Sequence, residues 1–512
     1  NNLSFELPIS EIMNSNPITI PENLNKQEII KKTYEKLDNS KKTNGWLRNI
    51  VVIDKEKKVV NIIDFFELIK DFEKIEYKVK IFGMGYVGLT LAVSLASKDH
   101  EVIGLDINSE IIKNLNNCKP HMYEPSLKET LQNCISNKKI KFSNNFDVDN
   151  ANVYIIAVGT PLNEESKPVL NSIKSSLESI GKTLKKRDQV ILRSTVPAGT
   201  TREIAIPILE DISNLKAGED FFISFAPERT VEGNALRELR ELPQIIGGLT
   251  KKCSQKASEF WSTLSGSVIQ VSSLEAAELV KLANNTYRDL SFAFANEIAL
   301  ISDDFNINAF ELIKAANDGY PRNKISFPSP GVGGYCLTKD PILFGCRPNG
   351  KANNKNLGNF GRKINEIAAK YPLKVLEKYS EKVKKPLNEM NVLIIGLAFK
   401  GTPDTKDLRG STAVETFNNL KSKVNKISSW DAVVDNETLS KNNLNPIINL
   451  DKSSKEYDAI LILNNHLQNI SFNPLQKSTE YRLIFDGWDL FDASEIEKIK
   501  GQSYATMGYL TV

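Results

Sequence analysis

Histidine is scarce in this chain: three residues in 512, His100, His121 and His466, none beside a recognisable nucleophile. That argues against a Ser-His-Asp hydrolase and against a histidine-ligated metal centre. Cysteine is scarce too. Cys118, Cys134, Cys253, Cys336 and Cys346 are odd in number and scattered, so they suggest neither a disulfide frame nor a paired metal site. Reduced thiols in a cytoplasm are the expectation, with no metal. No apolar run is long enough to span a bilayer and no secretory signal stands out, so no membrane partner is expected. The chain begins at Asn1 rather than Met, which leaves room for residues upstream. A net charge of only +3 leaves no footprint for nucleic acid. The length exceeds one core and predicts roughly three or four domains.

Four segments can be read along the chain. Residues 1–76 form a first, small α+β unit, with an extended stretch ending at Ile20, a helix-like Gln27 to Leu37, a strand at Ile50 to Asp54, a second at Val59 to Ile63, and a helix-like Phe65 to Phe72. The unit resembles a single motif of the cystathionine-β-synthase (CBS) type, which implies pairing and, in many relatives, adenine-nucleotide sensing. The Ser/Thr-x-x-Asp that closes such motifs falls on Asp64 and Glu67, and both depart from it. A structural pairing module is therefore as good a reading as a sensor.

Residues 77–272 open with a strand to Phe82, the turn Gly83-Met84-Gly85-Tyr86-Val87-Gly88, an apolar helix, and a strand ending in Asp106. This is a dinucleotide-binding fingerprint in its full context of strand, turn, helix, strand and acid. The glycines permit a tight turn and close approach of a pyrophosphate to the helix N-terminus, where free N–H groups and the helix dipole favour an anion. Asp106 is placed to accept from a ribose diol and would repel a 2′-phosphate, which favours NAD over NADP. Short apolar runs at Val153 to Val158, Gln189 to Ser194 and Phe221 to Phe225 read as buried parallel strands. Their carboxyl ends direct Thr160, Thr195 and Glu228 toward the cofactor crevice.

Residues 273–384 hold one long helix from Leu274 to Phe305, with Lys281 and Asn285 four apart on one face. A lysine in so apolar a stretch needs a partner or a task. Next comes the loop Pro328 to Pro341, in which Cys336 lies among Gly331, Gly333 and Gly334, with Lys339 and Asp340 just after it. Glycine lets backbone and ligand approach closely, and a cation beside the thiol would favour the nucleophilic thiolate. A polar connection (345–358) precedes a second helix from Phe360 to Lys384, which Pro372 should kink or break. Residues 385–512 read as a second doubly wound α/β domain without the full glycine fingerprint, with Lys400 and Arg409 available for a nucleotide or phosphate.

Gly83-x-Gly85-Tyr86-Val87-Gly88-Leu89, Ser194-Thr195-Val196-Pro197, Pro227-Glu228-Arg229, Lys281 with Asn285, Gly333-Gly334-Tyr335-Cys336 with Asp340, and Gly396-Leu397-Ala398-Phe399-Lys400 occur in one order. In that order and spacing, residues 78 to 512 resemble the nucleotide-sugar 6-dehydrogenases, the family acting on UDP-glucose, UDP-N-acetylhexosamines and GDP-mannose. The resemblance implies two Rossmann-like parallel-sheet domains joined by a long dimer-forming helix, hence a homodimer or larger homo-oligomer. It implies a four-electron oxidation of a UDP-sugar C6 alcohol to the acid, with two NAD⁺ used in turn, supplying surface-polysaccharide precursors. Cys336 would hold the aldehyde as a thiohemiacetal and then a thioester. Asp340 and Lys281 would bind the water or alkoxide, and Asn285 would add a neutral donor. By the same matching, Glu228 handles water or a proton in thioester hydrolysis, Thr195 orients that water, and Glu232 lies close to the substrate. Lys339 and Arg409 approach the cofactor. Arg322 reaches the diphosphate, often from the neighbouring subunit, while Gly333 and Lys400 serve the substrate.

Three departures tilt the substrate toward an N-acetylhexosamine or another UDP-sugar, with UDP-glucose kept as an alternative: the version of the 401–407 segment, Trp488 in Asp486-Gly487-Trp488, and Tyr335 before Cys336. A non-catalytic binding protein on the same fold is the competing reading, although it would need no such set of polar residues. A two-electron hydroxyacid dehydrogenase shares the first fingerprint but usually uses a histidine base.

Overall fold

The computed structural model describes residues 17–25, 28–29, 32–33, 49–64, 76–146, 151–349 and 355–511. Most of the helix-like stretches expected at 27–37 and 65–72, and Glu67 with them, lie outside these residues. The N-terminal unit shows a three-stranded sheet: β1 (Thr19–Pro21), β2 (Asn49–Ile53) and β3 (Val59–Asp64). β1 runs parallel and β3 antiparallel to β2. Ile18, Ile20, Ile29, Ile50 and Val52 form its small core.

The second sheet has eight strands: β4 (Lys78–Phe82), β5 (Glu101–Leu105), β6 (Ile140–Ser143), β7 (Val153–Ile156), β8 (Gln189–Leu192), β9 (Phe222–Phe225), β10 (Gln244–Gly248) and β11 (Val268–Gln270). Their spatial order is β11-β10-β9-β8-β7-β4-β5-β6. Successive side chains of a strand point to opposite faces. Ile81 and Ile155 therefore enter one core while Phe82 and Ile156 enter the other. Burial on both faces explains why these strands read as continuous apolar runs. β10 and β11 are the exceptions to a parallel sheet: β10 runs antiparallel to β9, and β11 runs parallel to β10. The sequence reading missed β6, β10 and β11.

The central helix, Leu274–Asp303, starts at Ser273, whose side chain accepts from the Ala276 N–H. Against it packs the helix Leu357–Ala368. The helix expected from Phe360 to Lys384 is thus two, and the second, Tyr371–Val383, has Pro372 in its first turn. There proline's missing N–H costs nothing.

The third sheet contains β12 (Asn391–Ile395), β13 (Lys426–Trp430), β14 (Ala459–Ile462), β15 (Arg482–Asp486), β16 (Gln502–Thr506) and β17 (Tyr509–Leu510). Their order is β13-β12-β14-β15-β16-β17, parallel except for β17. Both large sheets therefore reverse strand order beside their first strand, which is where such sheets open a crevice. Among the described residues, no helix is long and apolar enough to cross a membrane.

Candidate active site

The first crevice opens between the ends of β4 and β7. Gly83 has φ +92°, and a Cβ there would meet Ala157 O at 3.0 Å. A Cβ on Gly88 would lie 1.8 Å from Gly83 O, so helix and strand can approach only through glycine. Gly85 caps the helix Tyr86–Ala96 with no side-chain bond. A Cβ on it would meet nothing within 4 Å. An uncapped helix N-terminus facing open space suits a pyrophosphate. Asp106 accepts from Met84 N–H at 2.8 Å and Asn108 N–H at 2.9 Å, which fixes its carboxylate beside the turn. These residues fit NAD.

Tyr86 and Val87 are half-buried. The Tyr86 hydroxyl donates to Glu124, whose carboxylate also accepts from the Gly233 N–H at 2.9 Å. Burial and Glu124 raise the Tyr86 pKa far above its ordinary value, so the hydroxyl stays a donor. Thr160 turns its hydroxyl to the Thr195 carbonyl at 2.5 Å and so braces two strand ends rather than facing the crevice. Thr195 itself is half-buried.

The thiol loop crosses from this crevice to the third sheet. Cys336 is exposed. Asp340, fully buried, accepts from Lys339 Nζ at 2.6 Å and from Asn285 Nδ2 at 2.6 Å. The cation expected beside the thiol is therefore engaged by its neighbouring carboxylate. Nor do Lys281 and Asp340 pair: Lys281 Nζ donates to the Glu228 backbone carbonyl at 2.5 Å. Lys339 and Arg409 lie over the Tyr335 ring, 5.2 and 5.6 Å from its centroid. The Tyr335 hydroxyl would sit 3.4 Å from a Cβ on Gly159, beside the first crevice.

The loop glycines serve a purpose other than the one expected. A Cβ on Gly331 would meet Ala369, on Gly333 the Gly410 carbonyl at 2.3 Å, and on Gly334 the Phe399 ring at 2.6 Å. Gly331 and Gly334 also have φ near +90°. Their missing side chains let the loop seat on the third domain, leaving Cys336 at its surface.

Glu228 departs furthest from expectation. Its Oε2 accepts from Arg193 Nε at 3.0 Å and Nη2 at 2.6 Å, and its Oε1 from the N–H groups of Arg229 and Thr230. Arg193 is itself buried and stacks 4.4 Å from the Trp261 ring centroid. Burial pushes the Glu228 pKa up, but Arg193, the Thr230 N–H and Lys281 outweigh it and hold the carboxyl below its usual range. A carboxylate so engaged is a weak base, ill suited to the proton-handling role expected of it.

On the third-domain side, Lys400 Nζ donates to the Glu232 carbonyl at 2.9 Å, and Thr405 Oγ1 to the Glu232 carboxylate at 3.1 Å. Arg409 pairs with Asp407 at 2.6 Å and lies 3.8 Å from Glu232. Burial and Asp407 raise the Glu232 pKa. Burial lowers that of Lys400, with Arg288 adding to it and Glu232 opposing. Arg322 is exposed and stacks on Tyr320; among the described residues it makes no bond to the rest of the site. A cleft of about 670 Å³ lined by Phe310, Lys314, Phe327, Asn465 and Trp488 adjoins Lys400, because Asn465 accepts from the Gly401 N–H. The Trp488 indole N–H is buried and has no partner among the described residues.

In the third domain the equivalent crevice is closed. Asp431, at the end of β13, accepts from the N–H groups of Leu397, Ala398, Val433 and Val434. Asn464 fills the space a Cβ on Gly396 would need. Sequence reasoning missed Arg193, Glu124, Arg288 and His121, the last lying near Asp106 and Arg409. Arg288 alone had a usable signal, its place seven residues after Lys281.

A dinucleotide crevice, a thiol loop and a second doubly wound domain in one chain define a dehydrogenase of the UDP-glucose/GDP-mannose dehydrogenase family, and this chain belongs to it. The family's NAD-binding domain matches residues 77–265, its central domain 275–366 and its UDP-binding domain 393–493. It is an NAD-dependent enzyme. The UDP-N-acetyl-D-mannosamine dehydrogenase of Pyrococcus horikoshii is 33% identical over 413 residues, 80% of this chain and 95% of that protein. The enzyme of that name from Campylobacter jejuni is 36% identical over 67% of this chain and 84% of its own length. A solved structure of the P. horikoshii UDP-D-ManNAc dehydrogenase superposes with a TM-score of 0.75 at 31% identity, covering 84% of this chain and 99% of that one.

Proposed function

We propose that the protein oxidises the C6 alcohol of a UDP-sugar, of the N-acetylhexosamine class, to the carboxylate. The observation that carries this reading is the placement of Cys336, exposed on a loop seated against Phe399 and Gly410 of the third domain while its neighbour Tyr335 reaches the dinucleotide crevice. Bound NAD supplies the hydride acceptor, held by the Gly83–Gly88 turn and Asp106 with Lys339 and Arg409 nearby; two molecules are used in turn.

The chain's residues do the rest. Lys281 gives one of three ammonium hydrogens to the Glu228 carbonyl and has others for the alkoxide at C6. Asn285, oriented by Asp340, offers its second amide hydrogen to the same oxygen. After the first hydride leaves, the Cys336 sulfur adds to the aldehyde carbon, forming a thiohemiacetal. Loss of the second hydride leaves a thioester, and water displaces the thiol to give the acid. Over the whole reaction, alcohol and water lose two hydrides and three protons. Thr195, just after the end of β8, orients that water in this reading. Glu228, through Arg193, fixes the carbonyl that holds Lys281. Lys400 and the adjoining Phe327–Trp488 cleft take the nucleotide end. Such an acid would supply surface-polysaccharide precursors.

Two NADH formed per UDP-sugar consumed, and no acid formed by Cys336→Ser while NAD still binds, is the expected outcome. A C336S enzyme that turns over normally would sink the assignment. Assaying a panel of UDP- and GDP-hexoses identifies the sugar.

The N-terminal unit, outside the matched domains, pairs in this reading with its copy in another subunit as a CBS-like module.

A further inference from the structure

One turn beyond Asn285 on the central helix lies a buried polar cluster that the chemistry above does not use. Asp289 Oδ1 accepts from Arg362 Nη1 at 2.7 Å and from Asn365 Nδ2 at 2.9 Å. Asn296 Nδ2 donates to Asn365 Oδ1 at 2.9 Å. Asp289, Asn296, Arg362 and Asn365 are all buried. Among the described residues two bonds leave the cluster, and both end on the backbone of the thiol loop: Arg362 Nη1 donates to the Val332 carbonyl at 3.2 Å, and Ser329 N–H donates to Asn296 Oδ1 at 2.8 Å. The loop is thus tied at two points four and seven residues before Cys336.

Stability alone gives little reason for such a cluster. A buried ion pair replaced by apolar residues of similar volume is often as stable. Here Asp289 Oδ2 also has no partner among the described residues, which costs rather than contributes free energy. Apolar packing cannot supply a directional bond to a chosen carbonyl. The loop needs one, because glycines with positive φ at 331 and 334 leave its backbone permissive.

We propose that Asp289, Arg362 and Asn296 are positioning residues that fix where the loop holds the Cys336 sulfur. They touch neither substrate nor cofactor, and the proposal rests on the reading of Cys336 as nucleophile. The test uses the full chain. In the double variant Asp289→Asn/Arg362→Met both charges are removed together, so no lone charge is buried. We expect kcat to fall about tenfold or more, as misplacement of a reacting group by about 1 Å can do. The KM for NAD should stay within about twofold. The rate of Cys336 alkylation by iodoacetamide, followed by intact mass, should change in the folded protein, a readout that loss of stability alone would not move. Arg362→Lys, which keeps the charge, should recover part of kcat.

If the double variant does not fold, Asn296→Ser removes only the Ser329 tie and should still lower kcat. Wild-type kcat and alkylation in a folded double variant, or in N296S, overturn the proposal. Loss of activity in C336S alongside that result would leave the nucleophile reading standing; activity in C336S would remove both.

Discussion

At the scale of single residues, the site is organised by which charge each polar group has already met. Arg193 and Glu228 neutralise one another out of water, and Lys339 does the same for Asp340. Removing one partner of such a pair leaves an uncompensated buried charge. Arg193→Met should therefore cost about 3–5 kcal/mol, whereas the double variant Arg193→Met/Glu228→Gln should recover most of it. Urea denaturation of the four proteins measures both. A double-variant loss equal to the sum of the two single losses would show that the pair does not couple. At the nucleotide end, Trp488→Ala should raise KM for the UDP-sugar and leave that for NAD unchanged. Steady-state kinetics with each substrate varied separates the two.

At the scale of elements, the central helix acts as a ruler. In order it carries Glu278, which binds the turn after Thr195, then Lys281, Asn285 and Asp289. The Glu278 carboxylate accepts from the N–H groups of Gly199 and Thr201 and from the Thr201 hydroxyl. Burial raises its pKa to about 7, against those bonds. Between the unfolded carboxylate value and about 7 the native state binds more protons than the unfolded one, so this group's contribution to stability falls as pH rises through that window. Glu278→Gln removes the titration. The stability of the variant relative to wild type should therefore improve from pH 5 to pH 8, as thermal melts across that range would show; a difference independent of pH would contradict it. The thiol loop answers to the same logic of close approach. Gly334→Ala should lower activity, because its Cβ would meet the Phe399 ring at 2.6 Å and its φ of +87° is strained for alanine.

At the scale of the whole molecule, the outer face of the central helix exposes Tyr287, Phe294 and Ile301, seven residues apart, with Leu357, Phe360 and Ile367 exposed on the neighbouring helix. An apolar stripe of that length on an exposed surface marks an interface. We propose that it is the dimer face, so that Phe294→Glu/Ile301→Glu should yield monomers in sedimentation velocity. Deleting residues 1–76 should leave the oxidation largely intact and change assembly; complete loss of chemistry would place part of the active site in that unit.

Much of this was legible in the sequence because it depends on neighbours along the chain. The Gly83–Gly88 turn, the helix after it and Asp106 form one local unit, and their geometry follows from residue type. The continuous apolar run of β7, the four-residue spacing of Lys281 and Asn285, and the break at Pro372 are local in the same sense. What only the tertiary structure decided is partnership across long separations. Nothing local says that Arg193 will meet Glu228, that Lys339 will be taken by Asp340 instead of the thiol, or that Lys281 will hold a carbonyl. Charges are matched by burial and distance, which no spacing rule encodes. The antiparallel β10 and the seating of the loop glycines against Phe399 and Gly410 belong to the same class, since each depends on what another part of the chain brings within van der Waals reach.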